Sequence, residues 1–129
     1  MDSVVEQIML KLPTSKTELS ADNIKKIHRY LPVPSDYKIL WADILSFGGY
    51  PAGIVITDKG LIIKSTKEEK AVVIRLAGNQ KQIEVANDLK ISQAKVSVIK
   101  KKNDAVLRAI IASAVPLAAI LRKISNNNN

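Results

Sequence analysis

The segment Glu84-Val85-Ala86-Asn87-Asp88-Leu89-Lys90-Ile91-Ser92-Gln93-Ala94-Lys95-Val96-Ser97-Val98-Ile99-Lys100-Lys101-Lys102 carries two short apolar faces separated by a corner. Val85, Ala86 and Leu89 recur at helical spacing, and so do Val96 and Ile99. The piece between them, Leu89-Lys90-Ile91-Ser92, is too short for anything but a tight turn. Ser92 suits the N-cap of the second helix, because its hydroxyl accepts a bond from a first-turn backbone N–H. Ala86 is small where two helices must approach, and Ile91 is apolar where the corner must be pinned to a core. The spacing predicts helices over 81–89 and from 93 to at least 102. A helix over 67–77 precedes them, with Val72, Val73 and Leu76 on one side and Glu68 and Glu69 at its positive end. Gly78-Asn79 closes it.

These three helices resemble the helix-turn-helix of bacterial DNA-binding regulators, particularly the kind in sigma-factor region 4 and LuxR-type output domains. The family pattern runs acid, apolar, Ala, two polar residues, Leu, Gly, apolar, Ser, three variable residues, Val-Ser. The match is close over 84–102 and extends with its flanking helices over about 67–105. Two positions depart from it. Lys90 stands where the family has a left-handed Gly, at a cost of about 1 kcal/mol. Val98 stands where the family often has Arg, the commonest reader of guanine. The resemblance implies a DNA-binding transcriptional regulator whose second helix enters the major groove of double-stranded DNA. Gln93, Ala94, Lys95 and Ser97 would then face base edges. Gln93 would pair with adenine, Lys95 would donate to guanine, and Ala94 would touch a thymine methyl. Lys81, Lys90, Lys100, Lys101 and Lys102 would hold phosphates. One such motif ordinarily binds as a homodimer, and the apolar run 105–121 is the expected interface.

The N-terminal half reads differently. Val4, Val5, Ile8, Met9 and Leu12 form a helical stripe that Pro13 ends, and a second helix over 20–30 has Ser20 or Asp22 to cap it. Pro32 and Pro34 stop helix formation. From Tyr37 the chain is rich in strand formers without a clean period, and Gly48-Gly49-Tyr50-Pro51-Ala52-Gly53 is turn chemistry. Ile54-Val55-Ile56 and Leu61-Ile62-Ile63 flank Thr57-Asp58-Lys59-Gly60, which predicts a β-hairpin over 54–64. The run 39–64 resembles the opening strands of small bacterial PH-like domains, whose early strands often end in a Thr-Asp-x-Gly turn. Such a domain needs further strands after Lys64 that this chain lacks, so three strands covered by two helices are expected instead.

The expected fold class is therefore α+β. A small α/β region spans 1–66, the helix-turn-helix spans 67–105, an apolar helix serving core or dimer spans 106–124, and a disordered tail spans 125–129. Within the apolar segment only Ala109 to Leu121, thirteen residues, are free of charge, short of the roughly 20 a bilayer crossing needs. Pro116 should kink or split that helix. The 129 residues, 47% apolar, can bury a core without cysteine, which excludes disulfides and thiolate metal sites. The acids near the N-terminus do not suit a signal peptide, so a cytoplasmic location is expected. Residues 1–66 carry eight Lys/Arg against seven Asp/Glu, whereas 67–129 carry twelve against five, placing +7 of the net +8 with the helix-turn-helix. A basic segment attracts polyanions.

No catalytic, cofactor or metal constellation emerges. His28 has no second His or Cys to share a metal, and no Gly-Lys-Ser/Thr follows the glycines to make a phosphate loop. An enzyme is not expected. The alternative is a membrane-surface or protein–protein interaction protein, in which the basic run 90–102 binds anionic lipid and the apolar run 105–121 buries its surface.

Overall fold

The strand-forming run after Tyr37 builds a meander of three antiparallel strands, β1 (Ile39–Ser46), β2 (Ala52–Thr57) and β3 (Gly60–Lys64). In this computed structural model, which describes residues 2–49 and 51–125, the protein has an α+β fold. Tyr50, in the expected turn before β2, lies outside the described residues. The hairpin register pairs Ile54 with Ile63, Val55 with Ile62 and Ile56 with Leu61. Thr57 closes the turn. Its buried hydroxyl donates to the Gly60 carbonyl at 2.9 Å and accepts from the Gly60 and Lys59 amides at 3.1 and 3.2 Å.

The missing period in these strands has a simple cause: both faces of the sheet are covered. Trp41, Ile54, Ile56, Leu61 and Ile63 point into one apolar cluster, whereas Ala42, Val55 and Ile62 point into another. The second cluster is roofed by α2 (Ala21–Tyr30), through Ile27, with Leu31 and Val33 beyond its end. Ser20 caps this helix, its hydroxyl accepting from the Asn23 amide at 3.2 Å. The first cluster takes Val5 and Ile8 of α1 (Ser3–Met9) and the apolar faces of the C-terminal helices. The stripe read over 2–12 thus contains a helix that stops at Met9, with Leu12 packing from beyond it.

Both sheet edges are occupied. Along β1, the Ala42 and Ile44 amides donate to the hydroxyls of Ser15 and Thr17 at 2.9 Å each, and Thr17 N–H donates to the Ala42 carbonyl at 3.0 Å. Along β3 lies a fourth strand that the sequence reading did not contain, β4 (Ile124–Ser125), parallel to Leu61 and Ile62. Ser125, assigned above to a tail, belongs to it by its backbone; residues 126–129 lie outside the described residues. The close approach needs Gly60, whose φ is +155° and where an added Cβ would sit 2.4 Å from the Lys123 carbonyl oxygen.

The C-terminal half contains α3 (Lys67–Ala77), α4 (Gln82–Leu89), α5 (Gln93–Lys102), α6 (Asp104–Ala112) and α7 (Leu117–Leu121). Thr66 caps α3 by accepting from the Glu69 amide at 3.2 Å. The apolar run 105–121 is split, as Pro116 demands. Ser113 turns its hydroxyl back to the Ile110 carbonyl at 2.7 Å, Ala114 adopts a φ of +59°, and Pro116 precedes α7. Val106, Leu107, Ala109, Ile110 and Ile120 are buried in the same cluster as Trp41 and Leu61, so one core joins the two halves of the chain.

Candidate nucleic-acid interface

The corner between α4 and α5 is three residues long, and its backbone conformation is set at Lys90. Lys90 takes φ +57° and ψ +45°, the left-handed conformation that ends helices. The Ile91 amide donates to the Ala86 carbonyl at 3.1 Å and the Lys90 amide to the Asn87 carbonyl at 3.4 Å. That pair of bonds satisfies carbonyls at the end of α4 and turns the chain sharply. Ser92 then starts α5, its hydroxyl accepting from the Lys95 amide at 3.1 Å. At the end of α3 the left-handed residue is Asn79, at φ +63°, while Gly78 keeps a negative φ of −78°. Asp88 ties this elbow to α4, because its carboxylate accepts from Arg75 Nη1 at 3.0 Å and from Gln80 Nε2 at 2.7 Å.

Val85 and Ala86 of α4 and Val96 and Ile99 of α5 are all buried against α3 and the shared core. Their burial fixes which side of α5 faces out. With a residue every 100° or so around the helix, Ala94, Val98 and Lys101 lie opposite Val96 and Ile99. Lys95 and Lys102 fall on one flank of that line, and Gln93 and Lys100 on the other.

Of the residues assigned to bases, Gln93, Ala94 and Lys95 are exposed, whereas Ser97 is half-buried. Lys95 already has a partner: its Nζ lies 2.5 Å from Glu68 Oε1, on the first turn of α3. The residues assigned to phosphates are all exposed but occupy different places. Lys81 precedes α4, whose first turn no side chain caps, and with Lys100, Asn79, Gln80 and Gln82 it forms the polar part of an open cleft of about 360 Å³ that Leu76, Leu107 and Ile111 also line. Lys90 sits at the corner. Lys100, Lys101 and Lys102 form the last turn of α5, where cations are favoured by the helix's negative end. Two further residues belong to this surface: Val98, 53% exposed in the middle of the outward line, and Glu68, the partner of Lys95. The exposure of Val98 follows from the buried positions of Val96 and Ile99, whereas the Glu68 pair depends on how α3 crosses α5.

Elsewhere, one ring nitrogen of His28 lies 3.1 Å from the Val33 carbonyl. Among the described residues no helix is long and apolar enough to cross a membrane. The exposed large apolar residues of α6 and α7 are Ile111 and Leu121. No protein-family model, curated protein or solved structure matches the chain.

Proposed function

We propose that the chain is a DNA-binding transcriptional regulator, acting in the cytoplasm, whose α5 enters the major groove of double-stranded DNA. One observation carries the reading: the corner at Lys90 presents a short helix whose exposed side is bounded on both flanks by lysines. A helix held in that way matches a groove walled by two phosphate strands, with Lys100 and Lys81 toward one and Lys102 toward the other. Gln93, Ala94 and Lys95 meet base edges, and Lys90 and Lys101 contact further phosphates.

Lys95 reaches a base only by leaving Glu68, so this ion pair opposes binding by a modest amount. Homodimerisation through the exposed remainder of the run 105–121, around Leu121 on α7, would supply a second α5 for a neighbouring major groove. The alternative of a membrane-surface protein asks the run 105–121 to meet lipid. Its Val106, Leu107, Ala109, Ile110 and Ile120 are instead buried in the protein's own core.

Fluorescence anisotropy with a random-sequence duplex tests the reading. Lys102→Ala should weaken binding and lower the log–log salt slope by about 0.9, one phosphate contact. Glu68→Gln should tighten binding roughly two- to fivefold, the range of an exposed ion pair. Binding unchanged in both variants would exclude α5 from the interface.

A further inference from the structure

The outermost line of α5 is apolar at its centre. Val98 lies opposite the buried Val96 and Ile99 and is 53% exposed, and Ala94, one turn earlier, is exposed on the same line. Valine has neither donor nor acceptor, so it gains nothing from the polar atoms of base edges. The feature of a major groove that complements it is the methyl on C5 of thymine. Ala94 and Val98 are separated by about 6 Å along the helix axis, which spans one to two base-pair steps of about 3.4 Å. The lysines on the two flanks fix the helix across the groove, which holds this central pair against the base edges.

We infer that Ala94 and Val98 form a reader of pyrimidine C5 methyl groups, so that the preferred site carries two such methyls on adjacent bases or with one base between them. The inference rests on the DNA reading above and names what that surface selects. Val98, with no donor or acceptor on its side chain, makes methyl contact rather than guanine pairing the centre of discrimination. Thymine and 5-methylcytosine both present the methyl at this position.

The full-length chain would be used to select duplexes from a random-sequence pool. Each thymine of the selected duplex would then be replaced in turn by deoxyuridine, which lacks only the methyl. Affinity is expected to fall about fourfold at each of two positions, the effect of one buried methyl-sized group. Val98→Ala, a change at an exposed position, should abolish the sensitivity at one of them and leave the other. Placing cytosine and then 5-methylcytosine at the same positions separates the two sources: recovery with the methylated base supports a methyl reader that accepts both. Tight duplex binding that is indifferent to deoxyuridine would overturn this inference and leave the proposed function standing. Absence of duplex binding would overturn both.

Discussion

Lys90 occupies a conformation that costs a non-glycine residue about 1 kcal/mol, and it is exposed to solvent. In the proposed function that cost is offset by a cation placed at the corner of the interface. The two roles separate by substitution. Lys90→Gly should raise stability by about 0.5–1 kcal/mol in thermal unfolding, because glycine adopts the left-handed region freely. Duplex affinity should fall at the same time. A loss of stability would show that Lys90 makes a contact the corner depends on. Features of this local kind were legible in the sequence. Ser92 caps the helix expected of it, and of the two candidates Ser20 and Asp22 it is Ser20 that caps α2, because capping needs only the chain a few residues on. The pairing of Lys95 with Glu68 was not legible, since it joins side chains 27 positions apart across two packed helices.

At the scale of elements, the β2–β3 hairpin announced itself through Thr57-Asp58-Lys59-Gly60, and α3 through the helical spacing of Val72, Val73 and Leu76. The strand β4 could not be read. Two residues carry no period, and their pairing exists only because β3 leaves an open edge and Gly60 lets Lys123 approach. The double coverage of the sheet was equally hidden, because strands buried on both faces lose the alternation that signals burial on one. The role of Gly60 makes a direct prediction. Gly60→Ala places a methyl where only 2.4 Å separates Cβ from the Lys123 carbonyl oxygen. It should cost about 1–3 kcal/mol, as overpacking does, measured by chemical denaturation. Wild-type stability in this variant would mean that β4 does not pack against Gly60.

For the whole molecule, the decisive fact is the shared core. Trp41, Ile54, Ile56, Leu61 and Ile63 of the sheet lie in one cluster with Val72, Val85, Val96 and Val106 of the C-terminal helices. The basic half was legible from charge alone, yet charge does not reveal that its fold leans on the other half. A fragment of residues 67–129 would expose the apolar surface that the sheet and α1 cover. It should therefore show no cooperative thermal transition by circular dichroism, whereas the full chain does. A sharp transition in the fragment would show that the C-terminal helices fold independently. Binding studies consequently belong on the intact protein.

Whether α5 and its lysines grip duplex DNA is decided by the salt dependence of full-length binding to a random-sequence duplex. If Lys81, Lys90, Lys100, Lys101 and Lys102 each neutralise one phosphate, the logarithm of the binding constant should fall linearly with the logarithm of salt concentration, with a slope of about −4.5. A slope near zero, or no binding at low salt, would rule out a DNA-gripping α5 and leave these lysines as a solvated face.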